Sequence, residues 1–241
     1  MSTGGRTRAD AVQWVEDGTR RCSEVMTGWS ETDFEAPSEL PGWTRKHLVG
    51  HLAANAEAVA NLITWARTGV ETPMYTSMEQ RNADIAAAVE RSGADLRNWF
   101  EESAAALAVA FAAVTDEQWT TQVKTALGRD VPASEVPWMR AREVVVHAGD
   151  LGPEASLADA PEAFLVALVE DVVAKRSADG DGPMLTCRSV DTGHTWTIAG
   201  TGEPQEVTGT VAALSAYLTG RPGGPVVSDQ GAAAPVLPRW I

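Results

Sequence analysis

Residues 138–150 read Trp138-Met139-Arg140-Ala141-Arg142-Glu143-Val144-Val145-Val146-His147-Ala148-Gly149-Asp150, and the chain is organised around them. Wound as a helix, this stretch sets Glu143 and His147 four apart, one turn above the other on one face. A carboxylate and an imidazole so placed can hold one divalent ion with a third ligand from elsewhere. Asp150, three residues beyond His147, is close enough to hold that ring's other nitrogen. The bare E-x-x-x-H spacing also occurs on solvated helix faces that bind nothing, so the other histidines carry the decision.

There are 4 of them. His47 and His51 also stand four apart, in Arg45-Lys46-His47-Leu48-Val49-Gly50-His51, on a second predicted helix. Either can reach an ion in principle. His194 follows a predicted hairpin turn and reads as an exposed strand residue. If one histidine of the second helix meets Glu143 and His147 across a bundle core, three ligands of His, Glu, His type leave a fourth tetrahedral position open, as catalytic zinc sites do. The alternative is that all these groups are solvated polar residues on helix surfaces.

Further out from the central stretch, the chain reads as a run of helices. Apolar residues recur at helical spacing from Thr7 to about Met26, and Gly28 is a stop signal. Glu31–Gly42, with Pro37 and Pro41, is predicted to be a loop. Thr44 caps the next helix, which runs to about Arg67 and closes at Gly69. A helix over about Ser77–Ser92 follows. Gly93 separates it from another over Ala94–Val114, where the alanine-rich segment is a strong helix former. Residues 121–133 are a strand or loop bridging to the central helix, which Ser134 and Glu135 open, with Pro137 in its first turn.

After Asp150 the character changes, and Leu151-Gly152-Pro153 is the expected domain boundary. A helix from Pro161 to near Arg176, a strand Met184–Arg188, a turn at Asp191-Thr192-Gly193, a strand His194–Ile198, a strand Glu206–Gly209 and a short helix Thr210–Leu218 follow. The tail closes on Pro238-Arg239-Trp240-Ile241, with Trp240 predicted to be packed. The class is α+β: a helical bundle over residues 1–152 and a smaller α/β domain over 153–241.

Composition narrows the partners. The 241 residues are 44% apolar, enough for a packed core. No apolar run approaches the ~20 residues of a membrane span. Met1–Asp10 is polar and unlike a secretion signal, so a cytoplasmic location is expected. Lys+Arg 19 against Asp+Glu 33 gives a net charge of −14, a field that repels nucleic acid and anionic membranes. Any anionic substrate must then be met by individual cations. Cys22 and Cys187, in no C-x-x-C pattern, read as buried, inert thiols rather than a disulfide, zinc ligands or a nucleophile.

Several segments carry a family resemblance. Gly42-Trp43-Thr44-Arg45-Lys46-His47-Leu48-Val49-Gly50-His51-Leu52-Ala53-Ala54-Asn55-Ala56 and Thr68-Gly69-Val70-Glu71-Thr72-Pro73-Met74-Tyr75 resemble the mycothiol-dependent maleylpyruvate isomerase family. So do Val131-Pro132-Ala133-Ser134-Glu135, Trp138–Glu143, His147-Ala148-Gly149-Asp150-Leu151 and the closing Pro-Arg-Trp-Ile. The G-W-T-x-x-x-x-x-x-H-L element alone is shared by the wider DinB-like metal-binding superfamily. The resemblance implies a DinB-like four-helix bundle carrying the metal and a C-terminal domain like sterol-carrier proteins. It maps the metal ligands onto His51, Glu143 and His147, with zinc, and leaves His47 either supporting the ligands from behind or in a structural role. A conserved arginine falls on Arg221. Val145-Val146, where close members tend to carry a Trp, and Gly149, where Val is common, depart from the pattern and bear on pocket shape.

The activity so implied is conversion of maleylpyruvate to fumarylpyruvate with mycothiol as the thiol cofactor, in aromatic acid breakdown. A C=C bond turns freely only once a thiolate has added across it, and zinc can hold a sulfur deprotonated. With no nucleophilic cysteine of its own, the chain needs an external thiol. The substrate is a dicarboxylate; Arg221 is the first candidate to clamp it, with Arg81 and Arg142 as further candidates for substrate or thiol, or else solvated helix arginines. Asn55, one turn after His51, and Asp150 are assigned beside the ligands. A monomer is expected. The rival readings are a mycothiol S-transferase, a zinc-dependent hydrolase attacking through bound water, and a binding protein with a vestigial site.

Overall fold

The computed structural model describes residues 5–229, 231 and 233–240. Met1–Gly4 of the polar N-terminal segment and Ile241 of the closing tetrapeptide lie outside the described residues. The described residues divide into two compact units, Arg8–Ala155 and a second made of residues 5–7 with those from Ser156 onward.

In the first unit the elements are α1 (Arg8–Met26), α2 (Glu31–Glu35), α3 (Arg45–Thr68), α4 (Met78–Ala88), α5 (Gly93–Ala112), β1 (Gln122–Lys124), β2 (Asp130–Pro132) and α6 (Val136–Asp150). Helices α1, α6, α3 and α5 close a four-helix ring: α1 packs on α6 and α5, and α3 packs on α5 and α6. The amphipathic pattern explains α5, whose buried residues Leu96, Phe100, Ser103, Leu107 and Phe111 fall at three- and four-residue intervals. Helix α6 instead buries side chains nearly all round, from Val136 to Asp150, as a central element must. It comes unusually close to α1. A Cβ on Gly18 would lie 2.6 Å from Val144 Cγ2 and 3.0 Å from the backbone nitrogen of Val145. That contact fixes α6, and with it Glu143 and His147, against the bundle.

Two local expectations change. Glu31–Gly42 is not all loop: Ser30 and Asp33 form a reciprocal capping box that starts the short α2 before Pro37 ends it. Gly93 does not separate two helices but opens α5 behind the Ser92 cap, because Phe34 packs where a side chain would project. Residues 122–132 form a small antiparallel hairpin, β1 with β2.

The second unit contains α7 (Glu162–Asp179), β3 (Pro183–Ser189), β4 (Thr195–Ile198), β5 (Thr201–Gly209), α8 (Val211–Thr219) and β6 (Val227–Ser228). The sheet order is β4-β3-β5-β6, with β3 antiparallel to β4 but parallel to β5. To achieve this the chain leaving β4 must pass the start of β3. Gly200 lies at that crossing, where a Cβ would stand 2.6 Å from the Pro183 carbonyl. Strand β5 begins at Thr201 rather than at Glu206: its first residues are exposed and carry no apolar signal, and pairing with β3 extends it. Trp240 is packed, 6% exposed. No helix among the described residues is long and apolar enough to cross a membrane.

Candidate metal centre

Helix α3 starts at a capping box in which Thr44 bonds the backbone of His47 and the His47 ring in turn bonds Thr44. His47 Nδ1 lies 2.8 Å from Thr44 Oγ1 and 3.2 Å from Thr44 N. This imidazole is spent on the helix start. His51, one turn on, is 5% exposed and faces α6.

There His51 Nε2 stands 2.9 Å from Glu143 Oε2, and His147 Nε2 stands 3.4 Å from the same oxygen. One donor atom from each of His51, Glu143 and His147 lies within 4.8 Å of the other two. The two imidazoles meet edge to face, 5.4 Å apart. Side chains of His51 and His147 are 6% and 10% exposed, whereas that of Glu143 is 25% exposed, so Glu143 is the donor most open to solvent.

The surrounding groups orient each donor. His147 Nδ1 is 2.7 Å from Asp150 Oδ2, which leaves Nε2 turned to the cluster. Arg81, from α4, places Nη2 3.3 Å from His51 Nδ1. A guanidinium only donates, so Nδ1 accepts and Nε2 carries the proton that Glu143 receives. Trp43 packs edge-on against His51 at 5.6 Å.

The protonation states follow. Burial lowers the basicity of His51, only partly offset by the Glu143 bond, so this ring is neutral. Burial works against charge on His147 too, but the Asp150 and Glu143 hydrogen bonds outweigh it and hold the proton above the ordinary imidazole range. Burial would favour a neutral Glu143, yet bonds from His147 and His51 keep its carboxyl well below the usual carboxylate range. An anionic oxygen and two imidazole nitrogens at one point are a donor set suited to zinc or a similar divalent ion.

The other residues singled out above separate into groups. Asn55 (5% exposed) does not touch the donors; its Oδ1 accepts from Arg140 Nη1 at 2.9 Å. Arg142 lies with Cζ 5.9 Å from the centre of the Trp138 ring. Arg221 belongs to the second unit, where it donates to Thr219 O at 2.8 Å and lies over Trp240. His194 is exposed and stacks on Trp196. Cys22 and Cys187 are both buried, and burial pushes each thiol up to about 12, so neither is a thiolate at neutral pH.

Sequence reading missed Arg140 and Tyr75. Arg140 is 0% exposed and donates to Leu52 O (2.7 Å) as well as to Asn55. Its signal was its place three residues before Glu143, on the same inward face. Tyr75 lies near Arg81, whose Cζ is 5.7 Å from its ring centre; a polar aromatic just past the Pro73 break was the only hint of it.

This four-helix bundle, presenting two histidines and a glutamate at one inward point, matches known proteins over its whole length. The description of the mycothiol maleylpyruvate isomerase N-terminal domain matches residues 15–152. A crystal structure of the mycothiol-dependent maleylpyruvate isomerase, and one of a histidine-to-alanine mutant of it, each share 37% identity, cover 100% of both chains and superpose with a TM-score of 0.93. YfiT from Bacillus subtilis, described as having an unusual four-helix bundle topology, is a looser likeness at 14% identity and TM-score 0.48, covering 60% of this chain and 85% of its own. No curated protein matches. The chain belongs to the mycothiol maleylpyruvate isomerase N-terminal domain family.

Proposed function

We propose that this chain is a mycothiol-dependent cis-trans isomerase that converts maleylpyruvate to fumarylpyruvate, with a divalent metal, zinc, on His51, Glu143 and His147. The observation that carries the reading is the convergence of those three donors inside a chain that matches the mycothiol-dependent enzyme end to end. A bound ion there supplies a charge that keeps a thiol sulfur deprotonated, and the thiol supplies an addition–elimination route in which the double bond becomes single and turns.

The chain's own residues do the rest. Glu143 brings the negative charge that holds the ion. Asp150 fixes His147 with Nε2 forward, and α3 supplies His51 from the opposite side. Two valines, Val144 and Val145, pack against Gly18 and seat α6, which carries two of the three ligands, closely on α1. Arg221 is assigned to clamp a carboxylate of the dianionic substrate, a task that a chain of net charge −14 must give to a particular cation. Arg81, beside His51, is a second cation for the substrate or the thiol.

The test is purified protein with maleylpyruvate, with and without mycothiol and with and without a chelator. Loss of the cis isomer and gain of the trans isomer are expected only with both thiol and metal present. Turnover without thiol would replace this reading with hydrolysis, and accumulation of a stable thiol conjugate would replace it with S-transfer.

A further inference from the structure

The last four carbonyls of α8, which a helix leaves without partners of its own, are all taken. Gly220, left-handed at φ 74°, donates its N–H to Tyr217 O at 3.1 Å, and Arg221 N donates to Ala216 O at 2.8 Å. Arg176 takes Leu218 O, through Nε at 3.1 Å and Nη2 at 2.7 Å, and Arg221 Nη1 takes Thr219 O at 2.8 Å. The backbone of Arg221 is thus set by the helix end itself. Pro222 restricts the step that follows, and Gly223 returns so closely over α8 that a Cβ on it would collide with that of Ala216.

The segment from Ala233 to Trp240 is tied back onto the same helix end. Ala233 pairs with Val227 of β6, and the Tyr217 hydroxyl donates to Pro235 O at 2.6 Å. Arg176 Nη2, besides its bond to Leu218 O, reaches Pro238 O at 3.1 Å. Arg176 is buried, so this bridge is shielded from water. These anchors deliver Trp240 to Arg221. The indole is buried, and Arg221 Cζ lies over it, 5.6 Å from the ring centre. At that distance a guanidinium is attracted to an aromatic face. All of these groups belong to one compact unit.

We propose that Trp240 is a positioning residue for Arg221: its buried indole is the plate on which the guanidinium is laid, while Thr219 O holds one edge. The inference rests on the carboxylate clamp proposed for Arg221 above. An arginine side chain has many rotamers, and any ordering left until the substrate arrives weakens binding. A guanidinium held against a ring and at one edge keeps its donors in a fixed plane. Recognition of a carboxylate by two parallel bonds requires that plane. An aliphatic side chain in place of Trp240 fills space but offers no π face.

Two substitutions test this. Trp240→Leu removes the aromatic face, and Trp240→Phe keeps a smaller one. Trp240→Leu is expected to lower kcat/KM about tenfold and Trp240→Phe about threefold, with metal content unchanged. Placed on Arg221→Lys, which has no planar guanidinium left to hold, either change is expected to add little. Equal losses in both backgrounds mean that the ring acts independently of Arg221 and overturn the proposal; wild-type kinetics in Trp240→Leu overturn it too. Should Trp240→Leu not fold, Trp240→Phe is read in the same two backgrounds and decides in the same way. A second readout needs no turnover. In protein labelled with isotopic arginine, the Arg221 Nε–H resonance, assigned by its absence from Arg221→Lys, is expected to move toward the position of a solvated arginine in both Trp240 variants. An unmoved resonance overturns the positioning role. If the wild-type protein does not isomerise, the functional reading fails on its own, and this resonance still decides whether Trp240 holds Arg221.

Discussion

Asp150 Oδ2 lies 2.7 Å from Nδ1 of His147, and this single contact decides which nitrogen of that ring faces Glu143. Asp150 is 1% exposed, so water cannot replace it as an acceptor. Replacing it by asparagine keeps the shape but weakens the bond and its charge. Asp150→Asn is expected to lower metal affinity by about 10- to 100-fold, measured by competition with a chromophoric chelator. An unchanged affinity would remove Asp150 from the site.

Metal affinity should rise with pH. His147 holds its proton above the ordinary imidazole range, while His51 is already neutral. An arriving ion must expel the His147 proton. Affinity therefore climbs about tenfold per pH unit while His147 titrates and levels off once that ring is neutral in the free protein. Calorimetry in buffers of different ionisation heat should find one proton released per ion on the acidic side. Affinity that does not change between about pH 6 and pH 8 would contradict this.

Arg81 should let go of His51 when the metal binds. A neutral imidazole that ligates through Nε2 carries its hydrogen on Nδ1, where a donor-only guanidinium cannot bond. The present 3.3 Å contact between Arg81 Nη2 and His51 Nδ1 then has to open. A crystal structure with zinc bound is expected to show Arg81 turned away from Nδ1, and Arg81→Ala is expected to tighten metal binding rather than loosen it. Weaker zinc binding in that variant would refute the mechanism.

Gly18 should tolerate no larger residue. Its missing Cβ leaves room for Val144 and Val145, and a valine there would drive α1 and α6 apart. Gly18→Val is expected to cost about 1–3 kcal/mol of stability, read by denaturant unfolding, with a parallel loss of metal affinity as α6 shifts. Loss of neither would mean that the two helices are not held as tightly as their contact implies.

Arg221→Lys keeps the charge but not the two parallel donors. Turnover is expected to fall on the order of 100-fold with the metal content intact. Wild-type kinetics would exclude the carboxylate clamp.

Much of this could be read from the chain alone, for stated reasons. Helix α3 announces itself through Thr44 and Gly69, and the four-residue spacings of His47/His51 and Glu143/His147 put the candidate ligands on helix faces before any coordinates. Spacing could not choose between His47 and His51. That choice lies in the cap, where the His47 ring turns back on Thr44, a local bond that neither periodicity nor the resemblance specified, although the resemblance did set His47 apart from the ligands. Arg140 was missed because a charged residue in an amphipathic pattern reads as solvent-facing, and only three-dimensional packing shows it 0% exposed. Tyr75 was missed because it belongs to no periodic element. The parallel β3–β5 pairing also left no trace, since a backbone ladder needs no particular side chains.

His51 and Glu143 are separated by 92 positions in the chain, yet their side chains touch. An ion shared between them is a removable staple across a very long loop, absent from the unfolded chain. By mass action such an ion protects the native state by about 2.7 kcal/mol when present at a hundred times its dissociation constant. Preparations washed with chelator should therefore melt earlier than untreated ones although not one apolar contact has changed, and the melting temperature becomes a readout of occupancy.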